Sequence, residues 1–394
     1  MRKLFDEKRA QRQFLMSEYG KNKLLGYADS FREIAKTLED DFKWQKEESR
    51  QSLFYNRRIW ENSCMLADNL HEMAKVMTQV AGEVFSYKPF PDRKYRQISQ
   101  ILKGEGLQVT DMYYIEKRDK RARINMTLWS DKPGGFLTEE AADLLSILLD
   151  KRLLPSVTCA SVIDNTLRSY TFVEEPGFVM LTGAARAVKE TEAKSGDNYA
   201  VIETERGKIS LLLSDGMGSG QKANEDSEVV LDLMEKLLEA GYTPHAAANL
   251  VNNALMVGGE EQNMSTLDIC EVDLYDGICE FIKIGGAASF IKRGHMVEQI
   301  SDGSLPLGIF KGIESDGIKR HLMDGDYVFL LTDGVLDAVE NCDYEEDMCE
   351  ILGNLTQENP KELAEALLQI VLRKTRGRIR DDMTILVFGL WENT

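Results

Sequence analysis

Two stretches decide the fold: Ile209-Ser210-Leu211-Leu212-Leu213-Ser214-Asp215-Gly216 and Tyr327-Val328-Phe329-Leu330-Leu331-Thr332-Asp333-Gly334. In each, an apolar run that predicts a buried strand ends abruptly in Asp-Gly. A buried strand presents its last side chain with little positional freedom, which suits a metal ligand, and the glycine lets a backbone carbonyl approach a cation closely. An Asp-Gly pair after a strand is also a common turn, so neither copy alone identifies a site.

Two further strand ends also carry aspartate. Asp197 begins a predicted strand, and the pair Asp381-Asp382 precedes the final apolar strand. Adjacent carboxylates raise each other's pKa unless a cation neutralises them, although Asp-Asp pairs are also common on protein surfaces. Oxygen ligands with no His or Cys nearby favour Mg²⁺ or Mn²⁺. Two such ions close together can activate a water for in-line attack on a phosphoryl group, so the four positions together predict a two-metal centre.

The composition argues against several classes of protein. The chain has 394 residues and a net charge of −18, which argues against nucleic-acid binding because that binding depends on clustered Lys and Arg. The four histidines are scattered, and the six cysteines form neither a CxxC pair nor the Cys-x5-Arg signature of cysteine phosphatases. This cysteine usage is typical of a cytosolic chain with reduced thiols. No run of about 18 apolar residues occurs, so we expect no membrane span.

Residues 20–86 carry apolar side chains at three- and four-residue steps, which predicts a long helix. A helix of this length cannot bury its stripe against itself. It therefore folds back as a hairpin, packs on the next domain or pairs with a second chain, and the sequence leaves self-packing and a homodimer equally open. Residues 1–60 hold 14 Lys and Arg against 10 Asp and Glu. This basic start is either a solvated helix face or a segment beside an anionic membrane surface.

The rest of the chain predicts two further parts. Pro89 and Pro91 end the helix, and residues 93–175 predict a helix, two strands, a second helix and more strand, a small α+β regulatory domain. A Glu-Glu-Pro-Gly turn at 174–177 marks a boundary. We therefore predict a helical regulatory segment at 1–90, an α+β domain at 91–175 and a third domain at 176–394.

In the third domain, the sequence predicts strands that pair locally and helices that come in consecutive pairs. This order is typical of an α+β fold with antiparallel sheets and differs from the βαβ alternation of a parallel sheet. The predicted strands cover 178–189, 198–205, 208–214, 266–274, 278–284, 288–293, 327–332 and 383–390, and the predicted helices cover 219–240, 243–257, 343–354 and 361–374.

Short motifs follow one another along the third domain: Ser-Gly-Asp (195–197), Ser-Asp-Gly-Met-Gly-Ser-Gly (214–220), Ser-Thr-Leu-Asp (265–268), Phe-Ile-Lys-Arg-Gly (290–294), Thr-Asp-Gly-Val (332–335) and Asp-Asp-Met-Thr (381–384). These motifs and their order resemble the type 2C, metal-dependent serine/threonine phosphatases, and within them the stage II sporulation protein E family. The resemblance covers about 177–391 and implies two stacked antiparallel sheets flanked by helix pairs. The membrane-spanning region expected ahead of such a domain is missing from this sequence, so we expect the cytosolic part of a membrane-attached protein or a soluble relative.

The resemblance also implies site roles. Asp215 would bridge two Mn²⁺ or Mg²⁺ ions, and the carbonyl of Gly216 would complete one coordination shell. Asp197 would ligate or orient one ion, Asp333 would hold the other, and Asp381 matches the family's terminal metal aspartate. The remaining positions are less regular: Asp382 takes the place of an Asn behind the ligands, Gly196 stands where larger members have Glu, and no phosphate-binding Arg can be assigned.

Two functions follow as expectations. The resemblance implies a protein serine/threonine phosphatase in which Asp215 and Asp333 act through metal-activated water. Its substrate would be a phosphorylated anti-sigma factor antagonist, whose dephosphorylation activates a sporulation sigma factor. The alternative is a catalytically silent phosphatase-fold scaffold that acts through its N-terminal helices. In either case these helices could dock on the paired helices of the third domain and shift the metal site towards a competent form.

Overall fold

The computed structural model describes residues 20–38, 50–84, 87–116, 121–205, 207–257, 264–309, 313, 317–340 and 347–393. The chain divides into two compact units, Met1–Glu175 and Pro176–Thr394. Within the described ranges, no helix combines the length and the apolar character that a membrane span requires.

Two helices begin the described part of the first unit: α1 at 20–38 and α2 at Arg50–Val84. They touch where Arg32 Nη2 donates to Thr78 Oγ1 at 2.7 Å. Small side chains are buried at seven-residue spacing, whereas larger apolar side chains of the predicted stripe are exposed. Residues 39–49, predicted as helix, lie outside the described part of the chain. The buried residues are Ala28, Ala35, Ala67, Ala74 and Ala81, and the exposed ones include Tyr27, Ile34, Trp60, Leu66 and Met73.

The remainder of the first unit is a small α+β domain. Its five-stranded antiparallel sheet has the order β1-β2-β3-β7-β5, and a two-stranded sheet joins β4 to β6. Helices α3 and α4 bury Leu102 and Leu145 in the same core as Met126 and Phe172 of the large sheet. The elements are β1 Tyr87–Pro89, α3 Asp92–Gly104, β2 Leu107–Glu116, β3 Ala122–Ser130, β4 Phe136–Leu137, α4 Thr138–Leu149, β5 Leu153–Pro155, β6 Val162–Ile163 and β7 Arg168–Glu174.

The second unit contains two five-stranded antiparallel sheets, which confirms the predicted fold class. The first sheet has the order β15-β12-β11-β10-β9, and the second has the order β14-β13-β16-β17-β8. Its strands are β8 Phe178–Ala187, β9 Asp197–Glu205, β10 Lys208–Asp215, β11 Leu267–Asp273, β12 Ile278–Ile284, β13 Ser289–Arg293, β14 Met296–Ile300, β15 Ile318–His321, β16 Asp326–Leu331 and β17 Met383–Glu392, and its helices are α5 Gly220–Glu239, α6 Pro244–Val257, α7 Asp333–Glu340, α8 Met348–Asn354 and α9 Pro360–Lys374.

The layers of this unit explain the continuous apolar runs. Leu211 of β10 packs in a core with Leu330 of β16, so one face of each sheet meets the other sheet. Leu212 faces the opposite way, into a core with α5 and α6. Phe329 and Leu331 likewise face a core with α7, α8 and α9. Strands buried on both faces need apolar residues at successive positions, which is why these runs lack alternation.

Some predicted bounds were wrong. Helix α7 was not predicted; it begins at Asp333, where an acidic side chain in the first turn interacts favourably with the helix dipole. Strands β14 and β15 were not predicted, because each is short and only partly buried. The helix predicted at 343–354 begins at Met348 in the described chain, after Asp347 accepts a capping hydrogen bond from the Glu350 N–H.

Candidate metal centre

The predicted aspartates lie at one end of the two stacked sheets. Asp197 begins β9 and is paired across the ladder with Asp215, the last residue of β10. Asp333 follows β16 after one intervening residue, and Asp381 and Asp382 precede β17, its antiparallel neighbour. The first sheet therefore contributes Asp197 and Asp215, and the second sheet contributes the other three carboxyl groups.

Thr332 joins the two sheets at this end. Its Oγ1 donates to Asp197 Oδ2 at 3.0 Å, and the backbone N–H of Thr384 donates to the same hydroxyl at 2.8 Å. Arg186 of β8 adds a second link by donating to the backbone carbonyl of Asp197. Asp197 is thus held by groups from the opposite sheet, and its position depends on how the two sheets stack.

The carboxyl groups perturb one another. Burial, followed by the nearby carboxyls of Asp197, Asp333 and Asp381, raises the pKa of Asp215 to about 9. Burial also raises the pKa of Asp197 to about 6, although hydrogen bonds from two threonines oppose the rise. The pKa of Asp333 is raised by burial and then by the charge of Asp381. Carboxyls in this arrangement are neutralised either by protons or by a cation.

The carboxyl of Asp215 interacts with those of both Asp197 and Asp333, one from each sheet. Among the described residues, no group of three or more His, Cys, Asp or Glu side chains is arranged to hold a metal ion. Asp197 Oδ1 is buried and has no hydrogen-bond partner in this part of the chain.

The donor chemistry nevertheless fits a hard divalent cation. The groups that converge on Asp215 are carboxyls, which suit Mg²⁺ or Mn²⁺. Two glycines are sterically required beside them. A Cβ on Gly216 would collide with the carbonyl of Ala223, and a Cβ on Gly334 would collide with the carbonyl of Asp382. The backbone segments beside the aspartates therefore pack too closely for a side chain at either glycine. The oxygens available as ligands there belong to the carboxyl groups and to backbone carbonyls.

Asp381 and Asp382 have different surroundings. Asp382 is buried, and it accepts hydrogen bonds from the backbone N–H of Lys189 at 2.9 Å and of Gly196 at 2.7 Å. It thereby holds both ends of the loop that leads to Asp197. The side chain of Asp381 is about half exposed and lies 3.6 Å from Lys189 Nζ. Asp381 is therefore available as a ligand, whereas Asp382 shapes the loop behind the ligands.

Sequence reasoning missed three residues at this end. Thr332 and Lys189 were each predicted only as the last residue of a strand. Asp337 lies one helical turn after Asp333, and its charge contributes to the raised pKa of Asp333. The four-residue spacing of the two aspartates was the available signal, but it required the helix α7 to be recognised first.

Comparison with known proteins shows which proteins this chain is similar to. The family model of stage II sporulation protein E (SpoIIE) matches residues 205–390. Stage II sporulation protein E of Priestia megaterium is 31% identical over 345 residues, which cover 86% of this chain and 58% of that protein. The chain is therefore similar to the SpoIIE family. The Bacillus subtilis SpoIIE protein is 28% identical over 385 residues, covering 96% of this chain and 46% of that protein.

A solved structure extends the SpoIIE match to the fold. It contains the PP2C phosphatase domain and a fragment of the regulatory domain of Bacillus subtilis SpoIIE, and it is 27% identical with a TM-score of 0.60. The match covers 88% of this chain and 100% of that one. The chain spans about half the length of the curated SpoIIE relatives it matches.

Proposed function

We propose that the unit Pro176–Thr394 is a metal-dependent protein serine/threonine phosphatase. The observation that carries this proposal is the convergence of carboxyls from both sheets on Asp215, whose pKa rises to about 9 in the absence of a cation. Clustered carboxyls with strongly raised pKa values are typical of metal and catalytic sites. Similarity to SpoIIE supports the same chemistry, because a PP2C phosphatase domain is part of the solved SpoIIE structure.

Five groups would hold two Mn²⁺ or Mg²⁺ ions: the carboxyls of Asp197, Asp215, Asp333 and Asp381 and the backbone carbonyl of Gly216. Bound at this position, the ions would lower the pKa of a coordinated water and offset the negative charge that develops on the phosphoryl group. Asp215 and Asp333 would act catalytically by orienting these ions.

Other residues would prepare the site and receive the substrate. Thr332 keeps Asp197 turned towards Asp215, and Asp382 holds the loop before Asp197. Lys189 lies at the more exposed side of the cluster, 3.6 Å from Asp381. Once a cation neutralises Asp381, the ammonium group of Lys189 would be available to bind the substrate phosphate. It would take the phosphate-binding role for which no arginine could be assigned from the sequence.

The proposed substrate is a phosphoserine anti-sigma factor antagonist, and its dephosphorylation would activate a sporulation sigma factor in the cytoplasm. The names of the relatives, all stage II sporulation protein E, support a role in sporulation. The proposal includes a homodimer through α1 and α2, supported by their exposed Tyr27, Leu66 and Met73. It also includes control of the metal site by docking of these helices on the paired helices of the second unit.

The second candidate is a phosphatase-fold scaffold without activity. One observation favours it: the described part of the chain contains no ready group of three metal-binding side chains. A scaffold would bind its partners through the N-terminal helices and would not need the aspartates to coordinate an ion.

Hydrolysis of a phosphoserine protein, with and without Mn²⁺, separates the two candidates. The full chain and the piece 176–394 should be assayed side by side, each as wild type and as Asp215→Asn. We expect activity that requires Mn²⁺ and is lost in the variant. Activity confined to the shorter piece would indicate inhibition by the N-terminal part. If neither protein hydrolyses the substrate at saturating Mn²⁺ although both are folded, the scaffold would be favoured.

A further inference from the structure

A charged cluster lies inside the second unit, between the two sheets and below the proposed metal centre. Lys283 Nζ donates to Asp268 Oδ2 at 2.8 Å and to Ser289 Oγ at 3.0 Å. The two charged side chains are 2% and 4% exposed, and Ser289 is fully buried. We call Asp268, Lys283 and Ser289 the inter-sheet cluster.

The inter-sheet cluster connects the strands that carry the metal aspartates. Asp268 lies on β11 directly opposite Leu213 of β10, two residues before Asp215. Ser289 lies on β13 directly opposite Leu330 of β16, three residues before Asp333. Lys283 therefore joins one ladder to the other close to both strand ends. A shift between the sheets at this point would change the separation of Asp215 and Asp333.

A cavity extends from the cluster towards the metal centre. It has a volume of about 20 Å³ and is lined by Asp268 and Thr266 together with Asp215, Thr332 and Asp333. This is enough space for one water. Asp268 Oδ1 is buried without a hydrogen-bond partner among the described protein atoms. Gly286 packs so closely that a Cβ there would collide with this oxygen, so a larger side chain at 286 would displace Asp268.

Stability alone does not explain this arrangement. Burial raises the pKa of Asp268, and the charge of Lys283 opposes that rise without cancelling it. A buried ion pair of this kind is often no more stabilising than apolar side chains of similar size. An apolar pair would not provide directional contacts between the sheets or a polar end to the cavity.

We propose that Asp268, Lys283 and Ser289 are positioning residues that set the spacing of Asp215 and Asp333 across the two sheets, and so tune metal affinity. This inference rests on the proposed function, because it assumes that these aspartates bind Mn²⁺. It assigns the cluster a role in site geometry that can be separated from its contribution to folding.

The test replaces the charged pair with apolar residues in Asp268→Leu/Lys283→Met. Mn²⁺ affinity is measured by titration calorimetry on the full chain, and the thermal unfolding midpoint is measured in EDTA. We expect an unfolding midpoint equal to or above that of the wild type. We also expect the Mn²⁺ dissociation constant to rise at least about tenfold, as is typical when groups that orient metal ligands are lost. A purely structural role would instead lower the unfolding midpoint whenever Mn²⁺ binding becomes weaker.

Two further variants complete the test. Ser289→Ala removes only the contact with the second sheet, and it should also weaken Mn²⁺ binding. It keeps the inference testable if the double variant does not fold. Arg293→Met is the matched control: it breaks the Arg293–Asp326 pair at the other end of β13 and β16, so it should lower stability and leave Mn²⁺ affinity unchanged.

The outcomes are distinct. Wild-type affinity in both Ser289→Ala and the folded double variant would overturn the positioning role and leave the proposed metal centre intact. A wild-type chain that binds no Mn²⁺ would overturn the proposed function and this inference together.

Discussion

Asp215 is the residue whose pKa is affected by the other acidic residues of the proposed metal site. Its carboxyl is buried beside three others, and this raises its pKa from 3.8 to about 9. A raised pKa in the folded state means that the metal-free fold is stabilised by protonation. That stability is fully present below pH 4 or so and is lost as the pH rises towards about 9.

The metal-free protein should therefore become less stable between pH 5 and pH 8. Thermal unfolding in EDTA checks this, with Asp215→Asn as the control, because the amide does not titrate and should flatten the profile. Adding Mn²⁺ should stabilise the protein most at pH 8, where fewer protons compete for the carboxyls. If the stability of the wild type in EDTA changes as little with pH as that of Asp215→Asn, the strongly raised pKa of Asp215 would be contradicted.

Lys189 is the second residue with a specific expectation. Lys189→Ala should raise KM for a phosphoserine protein by about tenfold while Mn²⁺ binding becomes equal or tighter, because a positive charge beside Asp381 is removed. Steady-state kinetics measure KM, and Mn²⁺ titration measures the metal affinity. Lys194→Ala, on the same loop, is the matched control and should change neither. Weaker Mn²⁺ binding in Lys189→Ala would show that the lysine supports the metal site instead of the substrate.

At the scale of elements, the approach of β10 to α5 determines where Asp215 is presented. A Cβ on Gly216 would collide with the carbonyl of Ala223 near the start of α5. Gly216→Ala should therefore lower the free energy of unfolding by about 1–3 kcal/mol, as overpacking does, and should weaken Mn²⁺ binding. Urea unfolding and Mn²⁺ titration measure the two effects.

The control for this element is Gly303→Ala, since a Cβ at that position meets no atom within 4 Å among the described residues. It should leave stability and Mn²⁺ binding unchanged. A Gly216→Ala protein as stable as the wild type would mean that α5 moves away from β10 more easily than its packing suggests.

At the scale of the whole molecule, the exposed apolar residues of α2 test the proposed homodimer. Leu66 and Met73, 51% and 38% exposed, lie two helical turns apart on the same face. Leu66→Ser/Met73→Ser should convert a dimer to a monomer, because it removes apolar area from the proposed contact. Light scattering after size-exclusion chromatography measures the mass. Leu181→Ser, which changes an equally exposed leucine of β8, should leave the mass unchanged. A monomeric wild type would contradict the dimer.

The sequence by itself determined the fold class and the strand ends. Leu211, Leu212 and Leu213 predicted a strand buried on both faces, and apolar layers on each side of β10 account for that run. The aspartates were predictable because they interrupt apolar runs abruptly. Local patterns of this kind are visible in a sequence since neighbouring residues share one environment.

Only the tertiary structure decided which polar residues support those aspartates. Thr332 and Lys189 have ordinary sequence surroundings, yet each contacts a group far away in the chain, such as Asp197 at 135 residues from Thr332. Lys283 also has ordinary surroundings, yet it contacts Ser289 of the opposite sheet. Lys283 is an extreme case, because a lysine on a strand predicts an exposed position and this one is buried between two sheets. Such contacts depend on how the sheets stack, and stacking is set by the summed packing of many residues that no local pattern reports.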